Sequence, residues 1–237
     1  MIFKENFFVG YSDTNSELKL SNVALLRFFE NVASLHGSSV GDGIKDSPCV
    51  WFLTGYHVKI HRRPAMEERL TASTWSRTMK GFSSSREFSL HDAEGKLVVS
   101  AISNWARIDR ATGRPVRLDD ALYELYGSEP DVHQFDEPWL GRLKECTESL
   151  YERTFFIDRN FIDANLHMNN VHYLELSNLV LPEELYVKEP NEFSIRYRKA
   201  IVYGETVKCA YGKQDGHSVV TVRSAEGDDV RAIIHFY

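Results

Sequence analysis

The amino-acid sequence predicts an α+β protein made of two similar units, each with one helix followed by a run of antiparallel strands. Three observations support this prediction. The chain repeats itself, each repeat carries an apolar stripe at helical spacing, and alternating segments rich in β-branched and aromatic residues follow each stripe. A chain of 237 residues is long enough for two units of about 120 residues each.

The internal repeat consists of short strings that recur in the same order in both halves of the chain. The matching segments are 12–15 with 162–165, 20–23 with 168–171, 57–62 with 194–199 and 68–71 with 205–208. We interpret the repeat as a duplication, with a two-residue insertion in the first copy. On this alignment Asp13 and Asn15 of the first copy correspond to Asp163 and Asn165 of the second.

The duplication also sets the expected domain boundaries. We expect an N-terminal unit over 1–120 and a C-terminal unit over 151–237. The segment 121–150 carries Pro130, Pro138 and many charged residues, and we expect it to be a linker with some helix.

The first predicted helix follows Ser21 or Asn22, either of which is a good N-cap. Its apolar residues recur at i, i+3, i+4 and i+7, which is the spacing of one buried helix face. They are Leu25, Phe28, Phe29 and Val32. We expect Gly37 to end this helix.

The second predicted helix is capped by Asn169 or Asn170 and ended by Pro182. Its apolar residues include Val171, Leu174 and Leu179. Because this segment is apolar nearly all round, we expect a sheet to wrap it.

Alternation of apolar and polar residues predicts the strands that follow each helix. The predicted strands include 70–75, 85–90, 98–108, 207–211, 218–223 and 230–236. Polar turns at 92–95 and 225–228 lie between strands at the end of each copy.

Composition narrows the class of protein. The net charge of −6 argues against a nucleic-acid partner, which usually leaves a basic footprint. The three scattered cysteines, Cys49, Cys146 and Cys209, give neither a disulfide framework nor a zinc spacing. With no signal or transit peptide recognisable and no run of about 18 apolar residues, we expect a cytoplasmic protein without a membrane span. No glycine-rich phosphate loop or dinucleotide fingerprint is present, and we expect neither a cofactor nor a metal.

The best candidate for chemistry is the segment 163–167, which places an acid, an amide and an imidazole at alternate positions before the second helix. In an extended segment, Asp163, Asn165 and His167 would lie on one face. The helix that follows adds free backbone N–H groups and a partial positive charge. His167 could activate a water, Asp163 could orient it, and Asn165 with a helix N–H could hold an oxyanion. This is the equipment for hydrolysing an acyl bond.

A purely structural interpretation of the same residues stays open at this point. Asp and Asn before a helix are common capping and turn residues, and a lone His there usually has no catalytic role. The first copy has Glu17 and Lys19 where the imidazole would fall. Loss of the imidazole from one copy fits a duplicated enzyme with a single surviving site.

Other candidates are weaker. His57 and His61 are four residues apart, but on a strand this spacing has no metal-binding geometry. The segment 83–85 is three serines without the Gly-x-Ser-x-Gly elbow, and we expect a polar turn. Cys209 alternates within a strand, which favours a place in the core.

The string from Asn165 to Tyr173 (Asn-Leu-His-Met-Asn-Asn-Val-His-Tyr), followed by the segment 195–199, resembles the second half of the acyl-acyl-carrier-protein (acyl-ACP) thioesterase family of bacteria and plant plastids. The first half resembles the family too. Its matching positions are Trp51, Arg63-Pro64, Thr74-Trp75, Ser103-Asn104-Trp105 and 108–115. The resemblance covers nearly the whole chain.

The resemblance implies two tandem hotdog units, in each of which a long helix is wrapped by an antiparallel sheet. It implies hydrolysis of fatty acyl-ACP, which releases a free fatty acid and terminates chain extension in fatty acid biosynthesis. The catalytic residues of the family map onto Asp163, Asn165 and His167, and the acyl pocket onto the first unit. The expected substrate-binding residues are Phe28, Phe29, Trp51, Asn169 and Asn170. The implied partner is an acyl carrier protein that carries a fatty acyl chain, and both a monomer and a homodimer stay open.

One position departs from the family. The family places a Glu, followed in plants by Cys, where this chain has Ala200 and Ile201. That carboxylate normally helps to activate the water, and we hypothesise that Asp163 and His167 suffice without it. Two other carboxylates of the second copy, Glu175 on the predicted helix and Glu205 beyond the strand, are expected to be structural or surface groups.

Two other functions stay open. The same scaffold could hydrolyse acyl-coenzyme A, because no residue named above identifies the carrier. A non-catalytic acyl-binding protein is the other alternative, and Ala200 favours it. A dehydratase on the same fold is disfavoured, because no copy shows a convincing pair of His and acid arranged on opposite units.

Overall fold

The computed structural model describes residues 1–45, 47–136, 140–227 and 229–237. The chain forms two compact units, Met1–Trp139 and Leu140–Tyr237, and the division between them falls inside the segment 121–150. Each unit combines one main helix with five antiparallel strands. The predicted α+β class is therefore confirmed.

The first unit contains five strands in the order β1-β3-β4-β5-β2. They are β1 (Phe3–Phe8), β2 (Cys49–Ile60), β3 (Arg69–Lys80), β4 (Ser83–His91) and β5 (Leu97–Asp109). The strands predicted at 70–75, 85–90 and 98–108 are confirmed. The turn predicted at 83–85 is wrong, because these serines begin β4. The chain turns just before them at Gly81, whose φ of 63° favours glycine.

The main helix of the first unit, α1 (Asn22–Ser39), begins where the sequence predicted it. Ser21 is the N-cap, and its hydroxyl accepts a hydrogen bond of 3.1 Å from the backbone N–H of Ala24. The predicted apolar stripe is buried, and the helix contacts β1 and β3. Burial of this stripe against the sheet is the main stabilisation available to the helix.

The predicted end of α1 is wrong. The helix passes through Gly37 and continues to Ser39. A Cβ at Gly37 would lie 3.4 Å from both the carbonyl oxygen of Asp42 and the hydroxyl of Tyr126, so glycine is used here for close packing. Gly41, with a φ of 79°, follows the helix in the left-handed conformation expected of a terminating glycine.

The segment between the repeats contributes to packing in both units. A short helix, α2 (Asp120–Leu125), is capped by Asp119 and lies in the first unit. A buried cluster there consists of Leu118, Leu122 and Tyr126. In the second unit Leu143 packs against Val219 and Ile233. Pro138 of this segment lies outside the described residues.

The second unit repeats the strand arrangement in the order β7-β10-β9-β8-β6. The strands are β6 (Ser149–Phe156), β7 (Glu192–Tyr197), β8 (Thr206–Gln214), β9 (His217–Ser224) and β10 (Val230–Phe236). The strands predicted at 207–211, 218–223 and 230–236 are confirmed. Cys209 is fully buried on β8, as expected. Of the turn predicted at 225–228, Asp228 lies outside the described residues.

Strand β6 is the edge strand of its sheet and is exposed along nearly its whole length. Its exposed apolar side chains include Leu150, Tyr151 and Phe156. Charged residues lie between them at Glu152 and Arg153.

The main helix of the second unit, α3 (Asn170–Asn178), is half as long as α1, with 9 residues against 18. Asn169 caps it, as predicted. The predicted end at Pro182 is wrong, because the helix stops at Asn178. Pro182 instead begins the short helix α4 (Glu183–Val187), a position where its fixed φ costs nothing.

Within the described ranges, no helix is both long enough and apolar enough to cross a membrane.

Candidate active site

The segment 163–167 is a tight turn rather than the extended stretch assumed from the sequence. The backbone N–H of Asp163 donates to the carbonyl of His167 at 2.8 Å, and the N–H of Leu166 donates to the carbonyl of Asp163 at 3.0 Å. Leu166 has a φ of 63°, in the left-handed region. Three of the predicted site residues, Asp163, Asn165 and His167, therefore share one turn.

The carboxylate of Asp163 holds this turn closed. Its Oδ1 accepts hydrogen bonds from the backbone N–H groups of Asn165, at 2.8 Å, and His167, at 3.4 Å. This is an Asx-type turn, in which a side-chain oxygen takes the place of a backbone carbonyl. Oδ1 of Asp163 thus has the structural role, closing a turn before a helix, that the sequence left open for this residue.

The first unit contains the same turn. The N–H of Asn15 donates to the carbonyl of Lys19 at 2.8 Å, and the N–H of Leu18, with a φ of 56°, donates to the carbonyl of Asn15 at 3.0 Å. Asn15 Oδ1 accepts from the N–H groups of Glu17 at 3.0 Å and Lys19 at 3.2 Å. Each of the four hydrogen bonds described for the turn 163–167 therefore has a counterpart in the turn 15–19.

The matching hydrogen bonds correct the alignment of the two copies. Asn15, and not Asp13, is the counterpart of Asp163. The two turns have the same length, so the first copy has no two-residue insertion here. The counterpart of His167 is Lys19. The first turn thus has a neutral amide where the second has a carboxylate, and a lysine where the second has an imidazole.

The residue after each turn is bound to the same loop of its own unit. The N–H of Met168 donates to the carbonyl of Ile201 at 2.7 Å, and the N–H of Leu20 donates to the carbonyl of Pro64 at 2.8 Å. Ala200, where the family resemblance leads to the expectation of Glu, is therefore the counterpart of Arg63.

These two counterparts differ greatly in size. Arg63 reaches the start of α1, where its Nη1 donates to the carbonyl of Leu20 at 2.8 Å and to Oδ1 of Asn22 at 2.9 Å. Ala200 extends only a methyl group from the same position. The start of α3 therefore lacks the cover that Arg63 gives to the start of α1.

The start of α3 is fixed by polar contacts. Asn169 Oδ1 accepts a hydrogen bond of 2.9 Å from the N–H of Val171, and Tyr197 Oη donates to the carbonyl of Asn170 at 3.1 Å. Asn169 is thus the helix cap. Contact of Asn169 and Asn170 with a substrate stays a prediction.

The two carboxylates that the sequence analysis considered in place of the missing Glu both have partners. Glu175 Oε2 lies 2.6 Å from Nδ1 of His172 on α3. Glu205 accepts from Nη2 of Arg231 at 2.5 Å and from the N–H of Val202 at 3.0 Å. Glu205 therefore has a structural role, as expected.

The expected acyl-contact residues of the first unit lie in its aromatic core. Phe28 stacks on Phe7 at 4.6 Å between ring centroids, and Phe29 packs on Phe88 at 4.7 Å. Trp51 Nε1 donates to Oδ2 of Asp42 at 2.8 Å. Whether these side chains contact an acyl group stays a prediction.

The sequence did not predict the buried polar groups of the first unit. Arg86 Nη1 lies 2.9 Å from Nδ1 of His36 and 3.1 Å from Oγ1 of Thr74. Burial, with the positive charge of Arg86 beside it, lowers the pKa of His36 to about 3, so this imidazole is neutral. The partners lie far apart in sequence, and no local pattern could reveal them.

Two units of this kind in one chain form a tandem hotdog fold, as the resemblance implied. The chain belongs to the acyl-ACP thioesterase family: the family's N-terminal domain matches residues 1–126 and its C-terminal domain matches residues 144–236.

Plant proteins of this family are similar to the chain in sequence. A chloroplastic palmitoyl-acyl carrier protein thioesterase of Cuphea hookeriana is 22% identical over 214 residues, which cover 84% of this chain and 52% of that protein. A chloroplastic dodecanoyl-[acyl-carrier-protein] hydrolase of Cinnamomum camphora is 20% identical, with 84% and 56% covered. The chain spans about half the length of the curated relatives it matches.

Solved structures show the same fold. An acyl-ACP thioesterase from Bacteroides thetaiotaomicron matches with a TM-score of 0.86 and 22% identity, covering 99% of this chain and 96% of that one. A 12:0-ACP thioesterase from Umbellularia californica matches with a TM-score of 0.84 and 16% identity, with the same coverage.

Proposed function

We propose that the protein hydrolyses the thioester of a fatty acyl-ACP at the turn 163–167 and releases a free fatty acid. The observation that carries this proposal is the pair of matched turns. Both have the same pattern of backbone hydrogen bonds, but only the second, at the start of α3, has a carboxylate as its turn-closing group and an imidazole four residues later. Membership of the acyl-ACP thioesterase family supplies the reaction class.

In the proposed reaction, water attacks the carbonyl carbon of the thioester. His167 accepts a proton from the water as the new C–O bond forms. Because Nδ1 of this half-buried imidazole is buried, we assign the proton transfer to Nε2. The negative charge of Asp163 stabilises the imidazolium that results.

The oxyanion that forms needs stabilisation, and we assign this to the side-chain amide of Asn165, as hydrogen-bond donor, and to the partial positive charge at the N-terminus of α3. The C–S bond then breaks, and the imidazolium returns its proton to the departing thiolate. The products are a fatty acid and the free thiol of the carrier.

The proposal is tested by measuring fatty acid release from medium- and long-chain acyl-ACP by the wild type and by His167→Ala. We expect the substitution to lower kcat by at least about 100-fold, the contribution typical of general base catalysis. Lys19→Ala is the matched control in the first turn and should keep wild-type turnover. A wild type that hydrolyses no acyl-ACP would contradict the proposed function, and a His167→Ala variant as fast as wild type would contradict the mechanism.

The carrier is tested in the same assay. We expect acyl-ACP to be hydrolysed faster than acyl-coenzyme A of the same chain length, and the reverse order would identify an acyl-coenzyme A thioesterase.

The cytoplasmic location and the possible homodimer also stay predictions. Cell fractionation would check the location, and analytical ultracentrifugation would check the oligomeric state.

A second candidate function is acyl binding without hydrolysis, and Ala200 is the observation that favours it. The position offers no carboxylate to activate water. Stoichiometric acyl binding in the absence of turnover would establish this alternative.

A further inference from the structure

Two buried polar side chains of the second unit lie where the first unit has aliphatic ones. Tyr173 is four residues beyond the helix cap Asn169, as Leu25 is four residues beyond the cap Ser21. Both side chains are buried, with 3% and 1% of their surface exposed. The first copy thus shows that the helix packs on its sheet without a polar group at this position.

Arg231 on β10 is the second such residue, and its counterpart on β5 is Val98. The carbonyl of Arg231 accepts from the N–H groups of Arg198 and Lys199, at 2.8 and 3.4 Å. The carbonyl of Val98 accepts from the equivalent pair in the first unit at 2.9 and 3.1 Å. The same strand position therefore carries a guanidinium in one copy and an isopropyl group in the other.

Burial of Arg231 is costly for folding. The residue is 6% exposed, and its Nε is buried without a hydrogen-bond partner among the described residues. A buried donor of this kind destabilises the folded state, whereas a buried valine stabilises it. An arginine at this position therefore calls for an explanation other than stability.

Arg231 fixes the loop that follows β7. Its Nη1 donates to the carbonyl of Ala200 at 2.6 Å, and its Nη2 donates to Oε2 of Glu205 at 2.5 Å. Oε1 of Glu205 accepts from the N–H of Val202 at 3.0 Å. One guanidinium thus holds both ends of the loop 200–205.

This loop is bonded to the proposed site. Its residue Ile201 accepts the hydrogen bond from the N–H of Met168, directly after His167. Any displacement of the loop would therefore be passed to the imidazole. A shift of about 1 Å at a catalytic group can cost a hundred-fold in rate.

Tyr173 is linked to the loop through Ile201. A hydrogen bond with the backbone of Ile201 and the charge of Arg231 both favour the charged form of the Tyr173 phenol, and the charges of Glu205 and Asp163 oppose it. Burial raises the pKa of Tyr173 far above its ordinary value, so the phenol keeps its proton at physiological pH. It is a neutral, polar, buried group on α3, the helix that follows the turn.

We propose that Tyr173 and Arg231 are positioning residues of the hydrolytic site, which hold the loop 200–205 and the turn 163–167 in the arrangement needed for reaction. This inference rests on the proposed function. It explains why the second copy retains two buried polar groups that the first copy replaces by Leu25 and Val98.

The test compares Tyr173→Phe with Tyr211→Phe, a matched control that removes another buried phenol of the same unit, on β8. We expect Tyr173→Phe to lower kcat by about ten- to a hundred-fold, while KM stays within about two-fold and the melting temperature within a few degrees. Tyr211→Phe should keep wild-type kcat. Equal kcat values for the two variants would overturn the role of Tyr173.

Arg231 is tested by rescue. We expect Arg231→Val, which introduces the residue of the first copy, to lower kcat with little change in KM, and Arg231→Lys to recover part of the loss. A kcat of Arg231→Val equal to wild type, or of Arg231→Lys no higher than Arg231→Val, would overturn the role of Arg231. An inactive wild type would instead overturn the proposed function and this inference together, so the two failures are distinguishable.

Discussion

Asp163 and Asn15 make the same pair of hydrogen bonds to their own turns, although one side chain is charged and the other is neutral. An amide oxygen is therefore sufficient to hold this turn. The negative charge of Asp163 adds nothing that the fold needs, which makes a role in chemistry the better explanation for it. The two residues separate the structural task of the position from its proposed catalytic task.

Asp163→Asn should accordingly keep the fold and lose activity. We expect the melting temperature to stay within a few degrees of wild type, because the amide oxygen of asparagine replaces Oδ1. We expect kcat for acyl-ACP hydrolysis to fall by about 100-fold or more, because the charge that stabilises the imidazolium is gone. Calorimetry and a fatty acid release assay on the same preparation measure both effects.

The control for this variant is Asn15→Asp, which should change neither turnover nor the product. If Asp163→Asn hydrolysed acyl-ACP as fast as wild type, Asp163 would be a turn residue and nothing more.

Residue patterns predicted which side chains form the candidate site but not their geometry. Asp163, Asn165 and His167 were recognised because an acid, an amide and an imidazole alternate before a helix. The extended conformation was wrong, because the turn depends on Leu166 in the left-handed region, which a leucine rarely adopts. Tyr173 and Arg231 were missed because their importance emerges only from comparison of the copies in the correct register.

At the scale of elements, the start of each main helix is a point where the side chains of the two copies differ. In the first unit Arg63 covers the start of α1, and in the second Ala200 leaves the start of α3 without such a side chain. Helix N-termini favour negative charge, because their first N–H groups have no partner within the helix. The methyl group of Ala200 leaves room for a thioester at the start of α3, which a side chain the size of arginine would fill.

Ala200→Arg should therefore close the site with the first unit's own side chain. We expect hydrolysis to fall by at least about 100-fold, because the guanidinium would occupy the space over α3. The melting temperature should not fall by more than a few degrees, since the first unit accommodates Arg63 at the same backbone position. Ala200→Glu, the residue that the family resemblance leads us to expect, should raise kcat.

The control for these two variants is Ala200→Ser, which introduces only a small side chain. Its rate of hydrolysis should stay close to that of the wild type. Full activity of Ala200→Arg would show that the substrate does not approach the start of α3.

Helices and strands were predicted well where a local sequence pattern determines their position. They were predicted less well where contacts with distant residues determine where an element ends. Strand alternation located six strands, and the caps Ser21 and Asn169 located both helix starts. The helix ends were wrong at Gly37 and Pro182. Gly37 packs inside the helix against Tyr126, which lies far away in sequence, so local preference alone could not show that the helix continues through it.

At the scale of the whole molecule, duplication is the property that the sequence showed most clearly. The repeat was recognised from ordered matches along both halves, and the two units confirm it. The register was wrong at the turns because matching Asp and Asn by identity pointed to Asp13. Matching hydrogen bonds identify equivalent positions in the two copies even where the residues at those positions differ.

The stability of the molecule should depend on pH through His36. Its pKa is about 3 in the folded protein, against 6.5 for an ordinary histidine, because of burial first and Arg86 second. As pH falls from 6.5 towards 3, the unfolded chain binds a proton that the folded chain excludes, so the free energy of unfolding decreases. The loss is at most about 1.4 kcal/mol per pH unit, the slope for one proton. Above 6.5 this group contributes no pH dependence.

Urea denaturation at a series of pH values measures this effect against His36→Gln, which cannot titrate. We expect the wild type to lose stability more steeply than the variant below pH 6.5. Parallel curves down to about pH 4.5 would contradict the burial of a neutral imidazole at this position.

The exposed edge strand β6 has a consequence for the protein at high concentration. An edge strand that presents Leu150, Tyr151 and Phe156 to water has unpaired backbone groups and apolar side chains in the same place, which favours aggregation through strand pairing. Glu152 and Arg153 interrupt this stretch with charge, and such charged residues keep edge strands from pairing with other chains. Glu152 and Arg153 thus oppose pairing of this edge with other chains, a role separate from the proposed chemistry.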